Sequence, residues 1–168
     1  MAVTLTNTPT LIEKGPLKFV ILDAPSDSNL HLYMKEFQKH NVTHVVRVCQ
    51  DTYNCKLLER NNIQFHDWPF DDGSAPPKNV LTSWLELVNQ VFPLDRTTAT
   101  EAIAVHCVAG LGRAPVLVAV ALVERADMNA LDAIQFIRGR RRGAINSNQM
   151  AFIEKYYKMR KKNKCIVM

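Results

Sequence analysis

Residues 106–115 read His106-Cys107-Val108-Ala109-Gly110-Leu111-Gly112-Arg113-Ala114-Pro115, and this stretch decides the fold. An apolar run from Ala102 to Cys107 precedes the two glycines, and a second apolar run with Pro115 in its first turn follows them. This pattern predicts a strand, a tight loop and a helix. Glycines let successive N–H groups turn inward, and the helix adds the positive end of its dipole. The expected ligand of such a loop is a phosphate dianion.

Cys107 and Arg113, six residues apart, supply the chemistry of this loop. The field of the loop should favour the thiolate form of Cys107, which is a nucleophile at neutral pH. Arg113 can curl back and hold two phosphoryl oxygens with its planar guanidinium, a grip that lysine cannot make. Without this context, a buried cysteine and a surface arginine would be the ordinary interpretation. We predict a cysteine-dependent phosphatase whose phosphate-binding residues are Val108, Ala109, Gly110, Leu111, Gly112 and Arg113.

A general acid is also needed, because the oxygen that leaves phosphorus requires a proton. The candidates lie in residues 68–73, Trp-Pro-Phe-Asp-Asp-Gly, which follow a strand pattern and precede Ser-Ala-Pro-Pro. Two carboxylates on a mobile loop could close over the phosphate. We predict Asp72 as the acid and Asp71 as a residue that supports the loop. The alternative is that Asp72 only forms a turn with Gly73.

The rest of the chain alternates between strand and helix patterns. Buried strands are predicted at Lys18–Asp23, Val42–Cys49 and Ala102–Cys107. Helices are predicted around Leu30–Phe37, Leu81–Phe92, Ala114–Ala126, Asn129–Gly139 with Asn129 as N-cap, and from about Ser147 into the tail. We predict an α/β protein with a mostly parallel central sheet flanked by helices, and with its site at the carboxyl ends of the strands.

Length, charge and cysteine content limit the number of domains and the kinds of ligand that this protein can have. The 168 residues suit one globular domain with a real core, and we predict a phosphatase domain over residues 1–162 and a basic tail over residues 155–168. Residues 138 to 164 contain ten lysines and arginines but only one acidic residue. This segment lacks the interleaved aromatic residues that are typical of proteins that bind single-stranded nucleic acid, so no nucleic acid is expected as a ligand. Four scattered cysteines without zinc spacing indicate a reducing, cytosolic setting and no metal site.

The last four residues, Cys165-Ile166-Val167-Met168, form a prenylation sequence in which methionine favours a farnesyl group on Cys165. One lipid chain binds membranes weakly, so a second signal is needed. The basic residues just upstream can supply it: Lys155, Lys158, Arg160, Lys161, Lys162 and Lys164. The alternative is a solvated basic helix that ends in an accidental tetrapeptide.

Four segments together resemble the protein tyrosine phosphatase type IVA family, the phosphatases of regenerating liver. They are WPFDDG (68–73), HCVAGLGRAPV (106–116), QFIRGRRRGAINS (135–147) and the basic tail that ends in CIVM (165–168). The resemblance covers nearly the whole chain. It implies a compact phosphatase fold in which Cys107 is the nucleophile, Arg113 binds phosphate and Asp72 is the acid, with no metal or other cofactor.

The resemblance also carries expectations about partners and place. It implies phosphotyrosine-type protein substrates or phosphoinositides, low intrinsic activity, farnesylation with methylation, and a homotrimer near membranes. It further implies binding to cyclin-M-type magnesium transport mediators through the active-site face, so a catalytically weak, redox- and phosphorylation-gated regulator is the alternative function. The expected location is the cytoplasmic face of the plasma membrane or endosomes, with a cytosolic pool.

Ala114 departs from the pattern of related phosphatases, most of which carry a serine or threonine after the loop arginine. That hydroxyl hydrogen-bonds the departing thiolate. Without it, attack on the substrate should proceed while the Cys107 phosphoenzyme persists, which predicts a burst followed by slow turnover.

Cys49 ends one predicted strand as Cys107 ends another. If the two strands are parallel neighbours, their ends lie about 5 Å apart, which is close to the Cα separation of a disulfide. The resemblance supports a redox switch in which Cys49 caps Cys107. The alternative is that Cys49 fills core space. For His106 the sequence leaves open a role in fixing the loop and a purely structural one.

Overall fold

A computed structural model describes residues 4–167. Residues 1–3 and Met168, which closes the predicted prenylation sequence, lie outside the described residues. The strands of the described part are β1 (Thr10–Lys14), β2 (Leu17–Leu22), β3 (Val42–Arg47), β4 (Gln64–Asp67) and β5 (Ala102–His106). Its helices are α1 (Leu30–Lys39), α2 (Lys56–Arg60), α3 (Lys78–Val91), α4 (Arg113–Arg125), α5 (Ala130–Arg138) and α6 (Ser147–Val167).

The five strands form one sheet in the order β1-β2-β5-β3-β4. All neighbours are parallel except β1, which pairs antiparallel with β2 through a turn at Gly15. This confirms the predicted α/β class with a mostly parallel sheet. The sequence analysis missed β1, because its five residues, Thr-Leu-Ile-Glu-Lys, contain only two apolar ones and show no long apolar run.

Helices cover both faces of the sheet. Helices α1 and α2 pack on one face, where Tyr33 and Leu58 join a core formed with strand residues such as Val20. Helices α3 to α6 pack on the other face around Trp84 and Leu117. Helix α4 lies in the middle of this second layer, and its residues from 113 to 123 are all buried. This burial explains why its apolar run shows no amphipathic rhythm.

Strands β3 and β5 are parallel neighbours, and Arg47 pairs with His106 at their carboxyl ends. Cys49 and Cys107 therefore follow adjacent strand ends, which meets the condition on which the predicted Cys49–Cys107 pair depends. The loop after β5 and the segments after β3 and β4 all leave the sheet at this edge. Between residues 4 and 167, no helix is both long and apolar enough to cross a bilayer.

Candidate active site

The loop between β5 and α4 is shaped by Gly110, whose φ is +68°. A Cβ atom on this residue would lie 2.6 Å from the carbonyl oxygen of Leu22 and 2.5 Å from Nη2 of Arg141. Both the left-handed backbone and the close approach therefore require glycine. Cys107 opens the loop and is 3% exposed, while Gly112 is the N-cap residue of α4. The positive end of this helix thus faces the loop.

Arg141 lies behind the loop and fixes its carbonyl groups. Its Nε donates to the carbonyl oxygen of Gly110 at 2.6 Å, and its Nη2 donates to that of Ala109 at 3.1 Å. Nη1 reaches Oγ1 of Thr10 at 2.9 Å. Burial lowers the pKa of Arg141 below its usual range. Because Arg141 occupies these carbonyl groups, the N–H groups of the loop are free to bind an anion.

Arg113 is almost fully buried at the start of α4 and connects three segments. Its Nη1 donates to the carbonyl oxygen of Phe70 at 2.9 Å and to that of Val48 at 3.4 Å. Its Nε lies 3.5 Å from Oδ1 of Asp72 and, among residues 4–167, has no hydrogen-bond partner. A buried donor without a partner beside an anion-binding loop is what a bound phosphoryl oxygen would satisfy.

The two aspartates of the acid loop differ in position. Asp72 faces Arg113 and lines a depression of about 310 Å³ together with Cys107. Asp71 does not line it, and its carbonyl oxygen accepts bonds from the backbone N–H and the hydroxyl of Ser74, at 3.2 and 2.6 Å. The residues that line this catalytic depression are Asp72, Gly73, Cys107, Val108, Ala109, Leu111, Gly112, Gly143, Asn146 and Gln149.

Asn146 and Gln149 belong to this depression and were missed by the sequence analysis. Oδ1 of Asn146 accepts the Gln149 backbone N–H at 2.8 Å, and Oε1 of Gln149 accepts the Asn146 backbone N–H at 3.0 Å. This reciprocal pair is a capping box, and the spacing Asn-x-x-Gln before α6 was the available signal. Nε2 of Gln149 is buried and has no partner in the described part of the chain. Nδ2 of Asn146 reaches the carbonyl oxygen of Gly73 at 3.4 Å, which links the acid loop to α6.

The imidazole ring of His106 contacts Tyr53, Cys49 and the backbone of Cys107. Its Nε2 lies 2.8 Å from the Tyr53 hydroxyl, and its Nδ1 lies 3.2 Å from the carbonyl oxygen of Cys107 and 3.9 Å from Sγ of Cys49. Complete burial lowers the pKa of His106 to about 4, so the ring is neutral at neutral pH. Because a carbonyl oxygen can only accept, the contact with Cys107 favours the tautomer that carries its proton on Nδ1. His106 is thus buried and also bonded to the loop, which agrees with the interpretation that it helps to fix the loop.

Cys49 and Cys107 are both buried free thiols in this structure. Burial raises the pKa of Cys49, and the charge of Arg113 opposes that rise. Ala114, the residue after Arg113, is also fully buried, and no hydroxyl is present at its position.

The basic tail forms the second half of α6 and has two sides. Arg160 donates from Nε to Oε2 of Glu124 at 2.9 Å, and Nζ of Lys164 lies 3.3 Å from Oδ1 of Asp127. On the other side are Lys155, Lys158, Lys161 and Lys162, which have no carboxylate within 4.0 Å among the described residues. Cys165 is exposed and, at helical spacing from Lys158 and Lys161, belongs to this second side.

Comparison with known proteins agrees with this site. The family model for the dual specificity phosphatase catalytic domain matches residues 26–162. The chain is 47% identical over 164 residues to the probable protein tyrosine phosphatase type IVA A of Dictyostelium discoideum, covering 98% of this chain and 96% of that one. It is 47% identical over 148 residues to human protein tyrosine phosphatase type IVA 3, covering 88% and 83%.

Solved structures show the same fold. The putative protein tyrosine phosphatase of Leishmania major aligns with a TM-score of 0.77 at 49% identity, covering 89% of this chain and 99% of that one. A structure of PTPMT1 in complex with PI(5)P shares only the fold, with a TM-score of 0.71 at 16% identity over 87% and 94% of the two chains. The fold and the site together define a protein tyrosine phosphatase with a dual-specificity catalytic domain. Within that class, the chain belongs to the protein tyrosine phosphatase type IVA family.

Proposed function

We propose that this phosphatase hydrolyses phosphotyrosine-type monoesters in proteins through a phosphocysteine at Cys107, and that its turnover is slow. One observation carries the proposal. Cys107 and Asp72 line one depression beside a glycine-shaped anion loop, and Nε of Arg113, the residue that closes this loop, lies 3.5 Å from Oδ1 of Asp72. No other cysteine of the described chain has an arginine and a carboxylate in this arrangement around an anion loop.

The proposed reaction has two steps. In the first, the Cys107 thiolate attacks phosphorus, the P–O bond to the substrate breaks, and Asp72 gives its proton to the leaving oxygen. Loop N–H groups and Arg113 hold the equatorial oxygens as charge spreads over them. In the second step, water attacks phosphorus, the S–P bond breaks, and the Asp72 carboxylate accepts a proton from that water. Phosphate and the Cys107 thiolate are the products.

The experiment is pre-steady-state hydrolysis of a fluorogenic aryl phosphate by reduced protein. We expect a stoichiometric burst followed by a slow phase, and neither with Cys107→Ser. Asp72→Ala should bind a phosphate analogue as the wild type does and lose at least about 10²-fold in turnover. A fast steady state without a burst would contradict slow turnover, and unchanged turnover in Asp72→Ala would remove that residue from the mechanism.

Ala114 supports the slow second step, because the departing thiolate lacks a hydroxyl donor at this position. We expect Ala114→Ser to raise the steady-state rate and to leave the burst amplitude at one per enzyme. Ala114→Val is the matched control, since it changes volume without adding a donor. A serine variant no faster than the wild type would contradict this explanation.

We propose that Cys165 is farnesylated and that the tail holds the enzyme on the cytoplasmic face of a membrane. Two features support the proposal: the terminal prenylation sequence and the four lysines on the same side of α6 as Cys165. Mass spectrometry of protein isolated from cells tests it, and an unmodified Cys165 would contradict it. A homotrimer at the membrane remains a prediction of the family resemblance.

We also propose that Cys49 and Cys107 form a reversible disulfide. A hydroperoxide would oxidise the Cys107 thiolate to a sulfenic acid, and the Cys49 thiolate would then displace hydroxide from that sulfur to form the S–S bond. Adjacent strand ends and the shared contact with His106 support the step. Peptide mapping after hydroperoxide treatment tests it, with Cys49→Ser as control. A map without the Cys49–Cys107 linkage would contradict it.

A second candidate function is a binding regulator of cyclin-M-type magnesium transport mediators in which phosphorylation of Cys107 gates the partner. The missing hydroxyl at Ala114 favours it, and so do the exposed apolar side chains of Val108 and Leu111 at the mouth of the site. A partner that binds the phosphorylated and free enzyme equally would contradict gating.

A further inference from the structure

A second depression adjoins the catalytic one. Its volume is about 670 Å³, and Val108, Ala109 and Leu111 of the phosphate loop line both depressions. The two are therefore separated only by the loop itself. A substrate whose phosphate occupies the loop can extend over this boundary into the second depression.

Two arginines, Arg140 and Arg142, give the second depression its charge. The Arg140 guanidinium lies 3.6 Å above the ring centre of Phe136, and its Nη1 donates to the Phe136 carbonyl oxygen at 3.0 Å, which holds it in place. In the part of the chain that the structure describes, neither arginine has a carboxylate within 4.0 Å. Their charges are available to an acidic ligand.

One carboxylate, Asp23, also lines the second depression, but it is already engaged. Its Oδ1 accepts the Tyr33 hydroxyl at 2.6 Å, and its Oδ2 accepts Nδ2 of Asn7 at 3.1 Å. The buried guanidinium of Arg141 lies in the same lining. The balance of charge around the depression is therefore positive.

The boundary itself is apolar. Val108 is 55% exposed and Leu111 is 39% exposed. Apolar side chains on the rim suit the ring of a phosphotyrosine and the neighbouring side chains of a peptide better than an inositol ring covered by hydroxyl groups. Apolar contact followed by two arginines matches a phosphotyrosine with acidic neighbours.

We propose that the second depression binds acidic side chains that flank the phosphotyrosine of a protein substrate, and so makes the enzyme selective for acidic phosphorylation sites. The proposal rests on the proposed phosphotyrosine phosphatase function and adds the residues that select the substrate. Arg140 and Arg142 bind the flanking carboxylates, while the loop binds the phosphate.

The test compares two phosphotyrosine peptides of equal length, one with Asp and Glu at the two positions on each side and one with Asn and Gln there. The readout is kcat/KM, which ends at the first irreversible step and so excludes slow breakdown of the phosphoenzyme. We expect the wild type to prefer the acidic peptide about 3- to 10-fold, as suits two solvent-exposed ion pairs.

The double variant Arg140→Gln/Arg142→Gln should bring the ratio of the two kcat/KM values close to one. Lys35→Gln/Lys56→Gln is the matched control, because it removes the same charge from exposed sites elsewhere and should keep the wild-type ratio. A ratio that survives in the arginine variant would overturn the proposal. An equal loss on both peptides would also overturn it, since the arginines would then serve the loop and not the flanking residues.

Binding of the same peptides to Cys107→Ser separates this inference from the proposed function. Selective binding that depends on Arg140 and Arg142 supports the subsite even if the wild type hydrolyses neither peptide, in which case the proposed function alone fails. Equal binding of both peptides overturns the subsite. If a soluble inositol bisphosphate instead competes and loses affinity in the arginine variant, the depression takes a headgroup and the peptide proposal is wrong.

Discussion

At the scale of single residues, Gly110 decides whether the phosphate loop can form. Its positive φ costs most residues energy, and its missing Cβ leaves room for both the Leu22 carbonyl and the Arg141 guanidinium. The first effect is local strain, whereas the second links the loop to β2 and to the α5–α6 connection. The absence of a side chain at Gly110 therefore allows both the positive φ of the loop and the close packing around the site.

We expect Gly110→Ala to abolish the burst and to lower the free energy of unfolding by at least about 2 kcal/mol. The new methyl group would collide with the Leu22 backbone, and the positive φ would strain the alanine. Gly15→Ala is the control: φ is +56° there, but nothing lies within 4 Å of the added Cβ. Strain alone should cost it about 1 kcal/mol and leave the burst intact. Urea unfolding and the burst assay measure the two quantities. An active Gly110→Ala protein would show that the loop can shift to admit a methyl group.

At the scale of elements, the 21-residue helix α6 contributes both to the catalytic depression and to the basic tail. Its N-terminal end lines the catalytic depression through Gln149 and through Asn146, the residue just before the helix, and Ile153 packs in the core. Farther along, Arg160 is bound to Glu124, which sits in α4, so that this side of the helix faces the protein. The opposite side carries Cys165 and the four lysines that have no carboxylate partner among residues 4–167. The basic tail is thus divided by packing into structural and free cations.

This division predicts different effects for two groups of substitutions. Replacing Lys155, Lys158, Lys161 and Lys162 by Gln should weaken binding of the farnesylated protein to vesicles that contain phosphatidylserine by at least about 10²-fold, at roughly 1 kcal/mol per charge, and leave Tm unchanged. Arg160→Gln should lower Tm by a few degrees, because it leaves Oε2 of Glu124 without its charged partner, and should weaken binding far less. Sedimentation with vesicles and thermal unfolding measure the two effects. If the loss of vesicle binding for each charge removed is the same in both variants, the proposed orientation of α6 on the membrane is wrong.

The same scale shows what the sequence could predict. Strands β2, β3 and β5 are predictable because they are largely buried and appear as short runs rich in apolar and β-branched residues between polar breaks. The start of α4 is predictable because Gly112 and Pro115 mark it. Strand β1 is not, since an edge strand needs little apolar content and takes its hydrogen bonds from β2. Sheet order follows from tertiary packing and is absent from any local pattern.

At the scale of the whole molecule, the site shows the same limit. Cys107, Arg113 and Asp72 can be proposed from local motifs, because each stands next to glycines, prolines or aromatic residues that mark a loop. Tyr53 and Arg141 cannot, since each acts across the fold: Tyr53 on His106 and Arg141 on the loop carbonyls. Their roles depend on which side chains the sheet and helices bring together. A polar residue that is buried far from its partner in sequence leaves no periodic signal.

His106 makes the stability of the whole domain depend on pH. Its pKa is about 4 in the folded protein, against an ordinary value of 6.5 that applies to the unfolded chain. Between these two pH values the unfolded chain binds a proton that the folded protein does not. The contribution of His106 to the free energy of unfolding is therefore complete above pH 6.5, and it is lost as the pH falls towards 4. The loss should reach about 3 kcal/mol near pH 4.

Burial also lowers the pKa of His40, His44 and His66, so the total slope belongs to several groups, and a variant is needed to isolate one of them. We expect His106→Asn to be less stable than the wild type at pH 7, and that difference should shrink by about 3 kcal/mol as the pH falls to 4, because asparagine does not titrate. Asparagine keeps an N–H donor for the Cys107 carbonyl, so the loop should fold in both proteins. Urea unfolding under reducing conditions at several pH values from 7 to 4 measures both curves. Parallel curves would mean that His106 takes up its proton in the fold as readily as in the unfolded chain, and that burial does not keep it neutral.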